Sequence, residues 1–392
     1  MPSTRSILHT ALAASALLAS VFVWAPTIPT SAATCQSWGA PPPKVGSEAS
    51  EFLAVAAVSP CTVWAVGDYG DGPATKTLIQ RWNGSSWQRQ PSPNPSLTSS
   101  LRAIDAISLS DVWAAGNHVN GSASFTLVEH WNGHAWRVVP SPSPGSERNQ
   151  LNGLWARSPA DVWAVGSRQG ADGVRRALIE HWNGHRWKVR RSPEASPGPN
   201  ELFGVEGTSA TDVWAVGRRN PNPNPVVLDP RDRPLIEHWN GRTWKIVPSP
   251  NPGGEHGYLL SVSAVTSGAA WAVGYGNIGS PLDGTARTLI ERWNGRAWKI
   301  QASPKAGQGF DHLRGVAMRS PRDGWAVGDR WDGVTSRTLI ERWDGHAWRV
   351  QPTPNPQPEN ILFGVGILSP LDAWAVGASR DVLPETLALK CC

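Results

Sequence analysis

The sequence predicts an all-β fold: a seven-bladed β-propeller of four-stranded antiparallel blades, with the N-terminal strand completing the last blade. Three observations predict it. The segment Val63-Trp64-Ala65-Val66-Gly67 recurs with its Trp at 64, 113, 163, 214, 271, 325 and 374. A second segment, seen in full as Leu178-Ile179-Glu180-His181-Trp182-Asn183-Gly184-His185-Arg186-Trp187, recurs six times with an unvarying gap between its two Trp. The seventh copy stops short, and its missing piece stands at the front of the chain. A repeat of about fifty residues with several short apolar runs is the signature of a propeller blade.

Blade three shows the elements in order. Leu151 to Arg157 reads as strand a, ended by Ser158-Pro159; Val162 to Gly166 is strand b; Ala177 to Trp182 is strand c; Trp187 to Arg190 is strand d, stopped by Ser192-Pro193. Short runs bounded by Gly, Pro, Asn and Ser are strands rather than helices. Asn183-Gly184 predicts a type I′ hairpin turn between c and d, with positive φ at both positions. The two Trp flanking that turn are expected to meet across the hairpin. One blade cannot bury both faces, and stacking in a ring covers them.

The ends close the ring. Aligning Thr386 with Thr77 sets Cys391 at the place of Trp82 and Cys392 at that of Asn83. Ser37-Trp38 matches Ser86-Trp87, which sets Cys35 at the place of Gly84. A disulfide from Cys35 to Cys391 or Cys392 would replace the missing turn. Pairing the adjacent Cys391 and Cys392 would be strained, and Cys61, in the a–b turn of blade one, is available to the cysteine left over.

Residues 1–33 read as a secretory signal: Arg5, an apolar run from Ala11 to Ala25, and small residues at Ser31-Ala32-Ala33. Residues 34–392 are then one propeller domain, expected to be secreted, extracellular and monomeric, with no membrane span after cleavage. Lys and Arg number 36 against 31 Asp and Glu, with no basic block, so a nucleic-acid partner is not expected. No nucleophile elbow, phosphate loop, H-E-x-x-H or paired C-x-x-C pattern is present, and neither a metal nor a cofactor is expected.

The W-N-G-x-x-W hairpin with its V-W-A-V-G strand resembles kelch and galactose-oxidase-type blades. It also resembles a degenerate Asp-box, with Trp82 and its equivalents where that motif carries Asp. The resemblance covers residues 35–392 and lies nearest to uncharacterised secreted bacterial propeller proteins. It implies the fold and leaves the activity open, since propellers host lectins, lyases, oxidases and scaffolds. A galactose-oxidase-like Tyr/His set implies copper, but no free Cys is placed to cross-link a Tyr.

Regular positions read as structure. Glu129, Glu180, Glu237, Glu291 and Glu341, each followed by His or Arg, are expected to form blade-to-blade ion pairs, and the Trp pairs to pack rather than hold sugars. Asp105 and Glu206 stand at equivalent strand-a positions two blades apart, too far for paired-carboxylate chemistry. Trp155 reads as packing near the channel.

Irregular positions concentrate in the b–c and d–a loops at one mouth of the channel. Asp68, Tyr69, His118, Arg168, Arg218, Arg219, Asp329, Arg330 and Trp331 are the candidate ligand-binding residues there. His256, Tyr258, Tyr275 and His312 flank blade five and are the candidate catalytic set. The expected function is non-catalytic binding of an extracellular glycan or polymer. The alternative is a polysaccharide lyase or hydrolase using the Tyr/His/Arg cluster for proton transfer, and a further alternative is a cell-envelope protein-interaction scaffold.

Overall fold

The computed structural model describes residues 38–39, 48–222, 232–250, 256–277 and 286–391. The expected leader, Cys35 and Cys392 lie outside these residues. Twenty-eight described strands form six sheets, five of four strands and one of eight. The eight-stranded sheet is two blades bridged by a single parallel pair, Thr75 with Thr98. Every blade runs a-b-c-d with antiparallel neighbours. In blade three the strands are Asn149–Ser158, Asp161–Gln169, Arg175–Trp182 and Trp187–Arg190.

Strands b and c run past their apolar stretches. In blade three the ladder continues through Ser167–Ala177 and Arg168–Arg176 to Gln169–Arg175. Asp68, Tyr69, His118, Arg168, Arg218, Arg219, Asp329, Arg330 and Trp331 therefore lie on strand b, not in loops. His256, Tyr258 and His312 lie at the start of strand a, and Tyr275 on strand b. The polar ends of these strands face the channel mouth, so hydrophobic patterning marks only the inner part of each.

The c–d turn also differs from expectation. Trp82 pairs with Trp87, which leaves a four-residue loop rather than a two-residue type I′ turn. Among described residues no non-Gly residue has positive φ; the glycines alone adopt it, as at Gly84 with φ of 99°. The Asn before each Gly holds the loop through its side chain: Ser85 N–H and Ser86 N–H donate to Asn83 Oδ1 at 3.0 and 2.9 Å.

The core lies in the seams. Five strand-b Trp, at 64, 113, 163, 214 and 374, are buried against the hairpin Trp pair of the next blade, while Trp271 meets Trp343 and Trp325 meets Trp38. Trp214 meets Trp293 and Trp298 at centroid distances of 4.9 and 5.1 Å. Trp163 meets Trp239 and Trp244 at 5.3 Å each, and Trp374 meets Trp82 and Trp87 of blade one at 5.0 and 5.2 Å. That last contact joins blade seven to blade one. The hairpin partners also face each other, as in Trp82 and Trp87 at 5.9 Å. The strand-c Trp donates to the carbonyl of its own a–b turn, for example Trp182 Nε1–H to Pro159 O at 3.0 Å.

The strand-c glutamates correct the ion-pair expectation. Glu129, Glu180, Glu237, Glu291 and Glu341 are fully buried, and no ion pair to any of them is found among described residues. Four take a hydroxyl from the connection leaving the preceding blade: Ser92 Oγ–H donates to Glu129, Ser192 to Glu237, Ser249 to Glu291 and Ser303 to Glu341, at 2.8–2.9 Å. Burial pushes each of the five up to about 8, so they are neutral acids at pH 7. A charge so buried would need a partner cation, and the following His or Arg points elsewhere. His130 Nε2–H donates to Asp111 Oδ1 of its own blade at 2.8 Å while stacking on Trp113.

The closing blade uses both ends of the chain. Trp38 pairs with Cys391 as Trp82 does with Trp87, and Trp38 packs edge-on against Trp325 at 5.2 Å. Cys391 is buried and disulfide-bonded. Cys61 is instead an exposed free thiol, so it takes no part in the bonding. It sits over Gly84 of its own c–d turn, where Ser110, Ala160 and Thr211 cover the equivalent glycines of other blades.

Candidate functional site

Strand a is the innermost strand, and a bulge in each copy shapes the channel. The register shifts twice in every blade, and the first shift skips Leu53, Arg102, Asn152, Phe203, Leu260, Arg314 and Phe363. All seven line an axial cavity of about 210 Å³. A bulge turns an extra side chain out of the ladder, here toward the axis. The Gly ending each V-W-A-V-G segment lets strand a approach closely, since a Cβ at Gly274 would sit 1.8 Å from Tyr258 O.

Further along, where the strands reach the mouth, the cross-strand pairs differ from blade to blade. They are Glu51 with Asp68, Glu201 with Arg218, Tyr258 with Tyr275 and His312 with Asp329. Blades five and six turn this into a ridge of aromatic rings. His256 lies 6.3 Å from Tyr258, Tyr258 4.9 Å from Tyr275, and Tyr275 4.3 Å from His312. Phe310 follows at 4.8 Å and Trp331 at 5.4 Å. All six side chains are half-buried.

Charges flank the ridge on both sides. Tyr258 O–H donates to Asp232 Oδ2 at 2.5 Å, and Arg218 donates to the same oxygen at 2.8 Å. Arg218 and Arg175 both reach Glu201 Oε1, at 3.2 and 2.7 Å. On the other side His312 Nδ1 meets Asp329 at 3.3 Å and Arg314 donates to Asp329 at 2.7 Å. Burial, reinforced by Asp232, raises Tyr258 above the ordinary phenol range, and burial raises Tyr275 as well. Burial opposes charge on Asp329, but the His312 hydrogen bond and Arg314 outweigh it and hold the carboxyl below its usual range. Both phenols are thus proton donors, and the carboxylate is ionised.

The expected catalytic set is brought together, with Arg218, Asp329 and Trp331 beside it. The other expected residues stand apart. Asp68 accepts from Ser100 Oγ–H of blade two at 2.6 Å, and Tyr69 lies under the Arg89 guanidinium at 3.9 Å. His118 stacks on Phe125 at 5.4 Å, and burial lowers its pKa. Arg330 donates to Ala306 O at 2.9 Å, and Arg168 lines clefts beside blade three. Arg219 pairs across the ladder with Asn200.

Sequence reasoning missed Asp232, Glu201, Phe310 and the bulge ring. The ring had a signal, because Arg102, Asn152 and Arg314 interrupt strand a at one fixed place, directly after a buried Leu. Asp105 and Glu206 are both half-buried; burial raises them to about 6 and about 8, and the charge of Asp105 adds to the shift of Glu206. Each is tied to the next blade, Asp105 by Ala156 N–H and Glu206 by Ala264 N–H. Trp155 lies over Gly207 of blade four. Among described residues no three His, Cys, Asp or Glu side chains gather as metal ligands.

No family model matches this sequence, and no curated protein matches it. Solved structures do resemble it in fold. One is described as YCF48 bound to D1 peptide, with 13% identity over 91% of this chain and 97% of that one and a TM-score of 0.55. YCF48 from Cyanidioschyzon merolae gives 13% identity over 91% and 98%, with a TM-score of 0.51. Sqt1 of Chaetomium thermophilum gives 14% over 83% and 80%, with a TM-score of 0.47. At such identities the likeness is one of β-propeller fold.

Proposed function

We propose that this chain is a secreted, non-catalytic binding propeller that holds an extracellular glycan at the mouth of its irregular face. The observation that carries the proposal is the ridge of six half-buried rings from His256 to Trp331. Sugar rings present apolar C–H faces that pack on aromatic surfaces, while Arg218, Asp232, Arg314 and Asp329 flank the ridge with groups suited to hydroxyls. A mostly apolar surface with a few fixed polar groups is the usual makeup of a small-ligand site. The raised tyrosines weigh against the lyase reading, which needs a group that gives up its proton readily.

Export rests on the leader read in residues 1–33. The seven-bladed ring is closed by Cys391 and, in this proposal, Cys35, since Cys61 is free. The kelch-like and Asp-box-like character of the hairpins belongs to the same reading. A peptide partner is the second reading, favoured by the resemblance to a propeller described as bound to a peptide.

Calorimetric titration with soluble polysaccharides and with peptides tests the proposal. Tyr275→Ala and Trp331→Ala are each expected to weaken glycan binding by roughly ten-fold or more, as loss of an aromatic anchor does. Tyr275→Phe is expected to bind as wild type, because the ring stays. Saturable binding of peptides alone, or polysaccharide turnover abolished by Tyr275→Phe, would replace this reading.

A further inference from the structure

A cleft of about 300 Å³ opens between blades two and three on the same face as the ridge but away from it. Blade two contributes Asn117 and Ser122, and blade three contributes Arg148, Arg168, Gln169 and Arg175. No acidic side chain lines it. Arg175 is neutralised by Glu201 of blade four at 2.7 Å. Arg148 and Arg168 make no ion pair and no side-chain hydrogen bond. Two arginines without an ion pair thus line one concavity that has no acidic side chain in its wall.

The cleft also holds the opposite kind of unmet demand. Gln169 Oε1 and Asn117 Oδ1 are buried and have no hydrogen-bond donor. The Gln169 amide is oriented by its own Nε2–H, which donates to Gly173 O at 3.3 Å. Buried acceptors without donors are uncommon and call for a partner. A bare anion would answer the arginines and leave these oxygens facing more oxygen. A ligand that satisfies both has an anionic group and adjacent hydroxyls.

We propose that this cleft is a second binding site, specific for an anionic sugar unit, carboxylated or sulfated. The charged group lies against the forks of Arg148 and Arg168, whose paired N–H donors suit planar or tetrahedral oxyanions. The sugar hydroxyls donate to Gln169 Oε1 and Asn117 Oδ1. The site extends the function beyond the ridge, because it makes the face selective for acidic over neutral polymers.

The test is titration, with the ridge disabled by Tyr275→Ala, with trigalacturonate, with a sulfated glycosaminoglycan tetrasaccharide, with neutral galactotriose and with sodium sulfate. One or both acidic oligosaccharides are expected to bind, with galactotriose and sulfate at least ten-fold weaker; which acidic arm binds names the charged group. Affinity is expected to fall as salt rises from about 50 to 500 mM, across which the screening length shortens severalfold. Arg168→Gln and Arg148→Gln are each expected to cost about ten-fold in affinity with an unchanged unfolding midpoint. In wild type the ridge adds a separate glycan-binding event, and Arg168→Gln is expected to remove only the acidic-sugar one, which separates this site from the ridge. Wild-type affinity in Arg168→Gln overturns the proposal. So does sulfate or galactotriose binding as tightly as the acidic sugars, or binding lost with Tyr275→Ala alone.

Discussion

Blades four and five meet twice, and the two meetings are built differently. At their seam Trp214 sits between Trp293 and Trp298, an arrangement repeated at four other seams with centroid distances of 5.0–5.8 Å. At their mouth Arg218 and Asp232 meet Tyr258, an arrangement found nowhere else among the described residues. Both regions use strand b of blade four, with Trp214 and Arg218 four residues apart. The seam holds the ring and tolerates one solution, whereas the mouth has been free to diverge blade by blade because its strand ends are held by the ladder rather than by packing.

If that division is right, damage to the seams destroys the fold and damage to the mouth destroys only binding. The largest effect is expected from reducing the disulfide at Cys391. With Cys35 as its partner, as proposed above, releasing a loop of more than three hundred residues costs at most about 5–6 kcal/mol by chain entropy, so the unfolding temperature should drop clearly on reduction. An unchanged temperature would mean that the ring closes without its clasp. Next comes Trp271→Ala, which removes a fully buried seam Trp. Losses of roughly 3–5 kcal/mol follow such truncations, measured as the shift in a urea midpoint. Tyr275→Ala at the mouth should cost far less, and equal losses would break the comparison.

The third effect is a pH slope. The seam glutamates have folded pKa values raised to about 8 from 4.5, so the folded state holds protons that the unfolded state has released. Their stabilisation is therefore full below about pH 4.5 and is lost as pH rises through 8. Each contributes a slope of up to about 1.4 kcal/mol per pH unit in that window, and Glu129→Gln should remove one such share. Asp329 at the mouth acts in the opposite sense: its folded pKa is depressed, so its contribution is lost as pH falls below the ordinary carboxylate range. Unfolding midpoints across pH 3–9 separate the two regions by sign.

The seam was legible in the sequence because Trp at fixed intervals can only be periodic structure. The alignment that placed Cys391 opposite Trp38 followed from the same periodicity, and the ladder pairs those residues. The partners of the strand-c Glu were not legible. They come from Ser192, Ser249 and their equivalents in Pro-rich connections, across a seam that no local pattern spans. The turn was misjudged because Asn-Gly suggests two left-handed residues, whereas Asn183 bonds its own loop with its side chain and leaves the positive φ to Gly184. At the mouth, the residues of blade five were picked out for their chemistry, and the structure stacks them. Asp232 and Glu201 escaped notice because nothing in one strand announces an acid that serves the next blade.

The shared last blade has a practical side. Trp38 and Cys391 stand beside each other at the c–d turn end of their hairpin, opposite to the end where the ridge and the acidic-sugar cleft open. A fluorophore or a chip linkage placed at this end of the hairpin would therefore hold the ring from behind, leaving the opposite mouth open to any soluble polymer passed over it.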